Sequence, residues 1–302
     1  MSKQLRTALL LKASAIALVF SVSLLASSSR SFVSTTGSDT NTASNCSATA
    51  NCRSFTAALS VTNPGGEIVV LSSGGYGPAT ITQSVVITAI GVDAAISQTN
   101  AEQNALNINT SGNVTLVGLN LHGEGIGTYG LNVPQVAFLR LYNLTIENFT
   151  GDGINLGSSN AHLDLYDSRI NDNIVNGLEL SSTIGQQAYV QNTSFDHNGS
   201  SGVLLSAGGS VTIVDSSADR NGYGFTVVNG NLTLVGDRVM FNTTGLFLVS
   251  AAASVNIAYC LVTQNTTPFD IESGGSLAGT NPGTNLVTGT GIGTPATPKN
   301  LM

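Results

Sequence analysis

At 302 residues, with 41% apolar and only 9% charged side chains, the chain is too apolar and too sparsely charged to be disordered. Glycine fills 34 positions, Trp is absent, and Asn, Ser and Thr are abundant, a set of poor helix formers that excludes a helical protein. The formal charge of −7 disfavours a polyanion-binding surface, so nucleic acid is not an expected partner.

In chain order, Lys3, Arg6 and Lys12 precede an apolar stretch from Ala13 to Ala26 that ends in Ser27, Ser28 and Ser29, the layout of a secretory signal peptide. A run of about 14 apolar residues falls short of the ~20 needed to span a bilayer, which favours cleavage over anchoring. Residues 1–28 are therefore expected to be removed, taking the charge to about −10, and no later segment is apolar enough to span. The expected location is outside the cytoplasm, either secreted or in a periplasm or cell envelope. Cys46 and Cys52 enclose a short Ser/Ala/Thr/Asn loop, which suits a local disulfide in an oxidising compartment. No His or third Cys lies near them to suggest a metal. Cys260 has no evident partner and reads as a small buried residue.

Ser54 to Val61, with Phe55, Ala58 and Leu59 at helical spacing, predicts a short amino-terminal helical cap. Glu67 to Leu71, Ala79 to Thr82, Val85 to Thr88, Leu106 to Ile108 and Val114 to Leu121 predict strands, with Gly65-Gly66 and Gly74-Gly75 as turns. From Gly130 onward an apolar-x-apolar unit recurs at Leu131, Ile154, Leu178, Val203, Phe225, Leu246 and Phe269, with a period near 23. Each repeat holds a second alternating run (Leu139/Leu141, Leu163/Leu165, Ala188/Val190, Val211/Ile213, Leu232/Leu234, Val255/Ile257). A third short strand follows, centred on Ile146, Ile170, Phe195, Ala218, Val239 and Val262. Three residues after five of these come Asn173, Asn198, Asn221, Asn242 and Asn265. Asn tolerates left-handed backbone and can bond to its copy in the next coil, so these five predict a stacked ladder at a tight turn.

Three short strands per repeat with no helix between them describe an all-β, single-stranded parallel β-helix of about nine or ten coils. Leucine-rich repeats fail for want of a regular leucine lattice, and propeller blades need about 40 residues each. The expected division is residues 1–28 signal peptide, 29–63 amino-terminal segment and cap, 64–273 β-helix, and 274–302 carboxy-terminal cap and Gly/Thr/Pro-rich tail.

Phe32-Val33-Ser34, Gly37-Ser38-Asp39, Cys46 and Cys52 followed by Phe55, Gly65-Gly66-Glu67-Ile68, Gly74-Gly75-Tyr76-Gly77 and Ala79-Thr80-Ile81-Thr82-Gln83-Ser84 resemble a family of small exported bacterial right-handed parallel β-helix proteins, relatives of the pectate-lyase-like superfamily. The resemblance implies right-handed coils and export, with no settled activity. The superfamily's catalytic constellations do not carry over. There is no Asn-Thr-Asp, Asp-Asp or Gly-His-Gly segment and no Arg-x-Lys pair, and Lys299 is the single lysine beyond the leader.

In stacked coils, equivalent outward positions form rows one strand spacing apart. Beside the second strand these are Arg140, Asp164, Tyr189 and Thr212 in one row and Tyr142, Tyr166 and Gln191 in the next, with His162 alongside. Arg140, Tyr142, His162, Asp164, Tyr166 and Tyr189 form the candidate ligand-binding face: aromatic rings stack on sugars and charged groups take their hydroxyls. The plainer reading is a tyrosine stack beside a surface ion pair. The third strand offers Glu147, Asp196 and Asp219 in one outward row and Asp172, His197 and Arg220 beside it. Ca²⁺ or acid–base chemistry is open to them, but the interleaved Arg169, Arg220 and Arg238 favour solvated pairing, so no metal and no cofactor is expected. His122, among glycines, has no evident partner, and the Asn-x-Ser/Thr segments read as structural.

The function expected from these readings is a non-catalytic exported module that binds a polysaccharide or another cell-surface partner, or serves as a rigid envelope element. The alternative is a polysaccharide lyase or glycoside hydrolase acting on the second-strand face.

Overall fold

The computed structural model describes residues 27–183, 185–279 and 284–296; the expected signal peptide lies, except for its last two residues, outside them. The chain winds as a parallel β-helix of about nine turns. Second strands form an eleven-stranded sheet, first strands a nine-stranded sheet, and third strands two pieces of five and three. Pairing is in register and parallel, as in Leu139↔Leu163↔Ala188↔Val211↔Leu232↔Val255, so each apolar side chain sits on its equivalent in the next coil. One core fills the rod, with Phe149, Phe195 and Phe225 among its largest buried side chains. A one-residue slip in any coil would turn its apolar row outward, which is why the register is so firmly set.

The spacing from second to third strand is seven residues in coil after coil: Leu139 to Ile146, Leu163 to Ile170, Ala188 to Phe195, Leu232 to Val239. The spacing from first to second strand varies, with eight residues from Leu131 to Leu139, ten from Leu178 to Ala188 and seven from Phe225 to Leu232. From Leu131 onward most of the slack in the repeat therefore falls at this corner, while earlier coils add length elsewhere, with eleven residues from Val85 to Ile96 and ten from Leu121 to Leu131.

The two tight corners rest on left-handed residues. Asn143, Asp167, Asn192, Asp215 and Tyr259 have φ of 50–58° at the corner after the second strand, and Asn148, Asp172, His197, Arg220, Phe241 and Gln264 have φ of 56–62° after the third. Asn and Asp accept this conformation readily, while Phe241 and Tyr259 hold it at a cost of about 1 kcal/mol or more each. Immediately after the second set the five asparagines stack inside the turn. Asn198 Oδ1 accepts the backbone N–H of Asn173 at 3.2 Å and its amide at 3.0 Å, and Asn265 Oδ1 takes the same two bonds from Asn242 at 2.9 and 3.0 Å. Phe149 sits at the head of the row and donates its N–H to Asn173.

A glycine row follows at Gly130, Gly153, Gly177, Gly202, Gly224 and Gly245. A Cβ on Gly177 would lie 2.6 Å from the carbonyl oxygen of Gly202 and 3.0 Å from the Asn198 amide nitrogen. Coils approach too closely here for any side chain, and the obstacle is backbone. Gly177→Ala should therefore lose about 2 kcal/mol of stability by denaturant unfolding, whereas Gly75→Ala, with nothing within 4 Å, should be close to neutral. Equal midpoints for the two variants would contradict the close approach.

At the amino end, a strand at Ser28–Val33 pairs with Thr62–Val70 and opens the eleven-stranded sheet. The Cys46–Cys52 disulfide is present, with 4.9 Å between Cα atoms. Its loop covers the sheet's free edge: Phe32 N–H donates to the Cys46 carbonyl, and Cys52 and Ser34 continue the pairing. An unpaired edge is a template for aggregation, so this loop acts as a lid on the stack. The helix Phe55–Val61 is capped by Ser54, whose hydroxyl accepts the Ala57 N–H. Phe55, Ala58 and Val61 are its buried residues, while Leu59 is half-buried. The Asp39 carboxylate takes the N–H groups of Arg53 and Ser54 at 2.8 and 2.9 Å, fixing the approach to the helix. At the other end Ser276–Gly279 adds the last strand of the eleven-stranded sheet, and Ile292 and Ala296 pair back onto the final coil.

Four strand expectations need correction. Gly65-Gly66, expected as a turn, lies inside the strand Thr62–Val70, with Gly66 paired to Val85. Gly74-Gly75 is a short strand paired to Ala94–Ser97, not a turn. Val114 to Leu121 is two strands, Asn113–Val117 and Leu119–His122, broken at Gly118 with φ 72°. The third strand is reduced to single bridges through Ser194 and Ser217 in the coils of Phe195 and Ala218. There side-chain oxygens replace backbone acceptors: Asn171 Oδ1 takes the Asp196 N–H, Asp196 Oδ1 the Asp219 N–H and Asp219 Oδ1 the Met240 N–H.

Candidate functional site

The eleven-stranded sheet presents the candidate face. Register aligns Arg140↔Asp164↔Tyr189↔Thr212 in one outward row, Tyr142↔Tyr166↔Gln191 in the next and Phe138↔His162↔Gln187 in a third. All six candidate residues therefore fall on three adjacent coils. Tyr142 and Tyr166 lie parallel, 5.1 Å apart with an interplanar angle of 6°, and Tyr189 is tilted at 5.8 Å from Tyr166. Tyr142 and Tyr166 cover one another's faces along the rod axis, while Tyr189, in the Arg140 row, is turned 48° from Tyr166 and donates its hydroxyl to Gln191 Oε1 at 3.4 Å. This revises the sequence expectation: the face offers a comb of three phenols drawn from two rows, in which the ring faces between Tyr142 and Tyr166 are closed to a ligand.

Phe138 was not singled out from the sequence, yet it organises the charged groups. His162 stacks on it at 4.5 Å, and the Arg140 guanidinium lies 4.1 Å above its ring. Period-two alternation back from Arg140 is the signal that would have found it. His162 Nε2 is 3.3 Å from one Asp164 oxygen and Arg140 Nε is 3.8 Å from the other, while the Arg140 side chain stays 46% exposed. An exposed pair at that distance adds little to stability, so Arg140 keeps donors available for a ligand. Partial burial among its neighbours, then the charge of Asp164, raises the Tyr166 phenol above its ordinary value. The hydroxyl is a neutral donor and acceptor at any physiological pH.

The third-strand acids are dispersed rather than gathered. Glu147, Asp196 and Asp219 share a row with Asn171 between the first two, but Asp219 is buried and not outward. It is held by the Arg238 guanidinium at 2.7 Å and the Met240 N–H, and burial raises its carboxyl against the pull of Arg238. His122 is not a partnerless loop residue. It lies on a strand, with Asn148 Nδ2 2.9 Å from Nε2 and carboxylate oxygens of Glu124 and Glu147 at 3.4 and 3.7 Å. Among the described residues no group of three or more His, Cys, Asp or Glu is placed to hold a metal ion.

A second polar ladder lies inside the corner after the second strand, at Ser168, Thr193, Ser216, Asp237, Cys260 and Asn285. Each of Ser168, Thr193, Ser216, Asp237 and Asn285 accepts the N–H of its counterpart one coil earlier, for example Ser216 N–H to Asp237 Oδ1 at 2.7 Å. Burial pushes the Asp237 carboxyl up to about 7, against two backbone N–H bonds that lower it. Cys260 is buried there and donates its thiol to the Ala258 carbonyl, and burial pushes the thiol up to about 11. This is a structural thiol, not a reactive one.

Two overlapping stretches, residues 65–239 and 129–289, match the model of the right handed beta helix region, and the chain belongs to that right-handed β-helix family. No curated protein matches it. Among solved structures it is similar to pectate lyase Pel9A, with a TM-score of 0.59 at 16% identity over 85% of this chain and 77% of that one. It also matches the A-module of the Azotobacter vinelandii mannuronan C-5 epimerase AlgE4, with a TM-score of 0.40 at 13% identity over 71% and 86% of the two chains. At such identities the likeness to the lyase is one of fold.

Proposed function

We propose that this chain is an exported β-helix module that binds glycan along the outer face of its eleven-stranded sheet. One observation carries the reading. Three tyrosine edges, a cation held over Phe138, and His162 with Asp164 are set on a rigid sheet at the spacing of its coils. Polyhydroxylated chains are recognised by such charged and phenolic groups when the scaffold fixes them in advance. The leader-like first 28 residues and the disulfide support export, and no helix among the described residues is long and apolar enough to cross a membrane.

The test is incubation of the mature protein with a panel of plant and bacterial polysaccharides, with and without Ca²⁺, followed by calorimetry and product analysis. Saturable binding with the polymer intact is expected. New reducing ends or unsaturated products would replace this reading with that of a lyase or hydrolase.

A further inference from the structure

The corner that follows the second strand carries a groove that the glycan face does not use. It is open, has a volume of about 460 Å³ and runs along the rod across four coils. One wall is the row Asp167, Asn192, Asp215 and Gly236, all with left-handed backbone, and the other is the outward row Arg169↔Ser194↔Ser217↔Arg238. Ser168, Thr193 and Ser216 of the second ladder form the floor. Short serines between two arginines leave the trench open, and no aromatic or aliphatic side chain lines it.

Two of its four charged groups are already engaged. Asn192 Nδ2 donates to Asp167 Oδ1 at 2.6 Å, and Arg238 Nε donates to Asp219 Oδ2 at 2.7 Å. The other two are open: among the described residues neither the Arg169 guanidinium nor the Asp215 carboxylate has a hydrogen-bond or ion-pair partner. The wall itself explains the second of these. Asp167 receives its donor from the residue one coil later, but one coil after Asp215 stands Gly236, which has no side chain to give one. Asp215 Oδ1 uses that space instead, 2.5 Å from where a Cβ on Gly236 would lie. Arg169 and Asp215 are thus an open cation and an open anion on opposite walls, with their backbones two coils or about 10 Å apart along the rod, roughly the length of a disaccharide. A ligand of a single sign would be drawn to one of them and repelled by the other, whereas a ligand carrying both signs satisfies both.

We propose that this groove binds a zwitterionic oligosaccharide, a hydroxyl-rich chain that carries both a carboxylate and a free amine. Arg169 takes the carboxylate and Asp215 the ammonium. Ser217 donates its hydroxyl to Asp196 and Ser194 to Asn171, so both keep oxygen lone pairs to accept sugar hydroxyls between the two charges. A short peptide with free termini has the same two charges, but it brings no hydroxyls for the serine wall.

The test is calorimetry of the mature protein with four probes: de-N-acetylated hyaluronan tetrasaccharide, which has both charges, hyaluronan tetrasaccharide (carboxylate only), chitosan tetrasaccharide (amine only) and triglycine (both charges, no hydroxyls). The first should bind about tenfold or more tighter than each of the others. Arg169→Gln should erase its advantage over the amine-only sugar, and Asp215→Asn its advantage over the carboxylate-only sugar. Both changes are at exposed positions, and Asn accepts the left-handed backbone of Asp215. Gly236→Asn supplies the missing amide donor without changing the net charge, and should weaken the amine preference as Asp215→Asn does. Equal affinity for the four probes, no binding of the first, or a preference that survives in Arg169→Gln and Asp215→Asn would overturn the proposal. Neither variant alters a residue of the tyrosine face, so failure here leaves the glycan reading to its own test.

Discussion

Asn221→Leu should lower the stability of the rod by about 3 kcal/mol, a fall on the order of 5–10 °C in melting temperature for a domain of this size. Asn221 is buried and makes three bonds that a leucine cannot. Its Oδ1 accepts the Asn198 N–H at 2.7 Å, and its amide donates to the Phe195 carbonyl at 2.8 Å and to Asn242 Oδ1 at 3.2 Å. The substitution orphans a donor in one coil and an acceptor in the same turn, where water cannot reach them. Thr212→Leu, on the outward face of the eleven-stranded sheet, removes no bond of this kind and should change stability by about 0.5 kcal/mol or less. Equal losses for the two variants, measured by chemical denaturation, would show that the ladder does not hold the corner.

Tyr166→Ala should weaken glycan binding about 30-fold, the equivalent of about 2 kcal/mol, because Tyr166 is the middle of the comb and loses contacts to both neighbours at once. Folding should survive, since Leu163 and Leu165 are the core residues of that strand. Tyr142→Ala, at the end of the row, should cost less than Tyr166→Ala. Wild-type affinity that persists in both variants by calorimetry would remove this face from the function.

The coils were legible because each strand repeats an inward apolar pair and each ladder asparagine repeats one letter at one place. Where chemistry repeats without the letter, the sequence was silent. The second ladder is built from Ser168, Thr193, Ser216, Asp237, Cys260 and Asn285, which share an acceptor and an inward position but no residue type. The thinning of the third strand at Phe195 and Ala218 was hidden for a related reason, since Asn171, Asp196 and Asp219 look like surface residues and serve as backbone acceptors. Outward rows were readable as alignments, but the use of the tyrosine faces was not, because stacking along the axis depends on rotamers.

From Leu131 onward, where length varies mainly at the corner between first and second strands, the molecule is a ruler with uniform graduations. Gaining or losing one whole winding, with its two left-handed residues and its ladder asparagine, would move the disulfide-bearing end and the carboxy-terminal end relative to each other by about 4.8 Å and leave both unchanged in shape. Distance between whatever the two ends contact is therefore encoded digitally, in the number of windings, while the loops at the permissive corner can diversify without altering it.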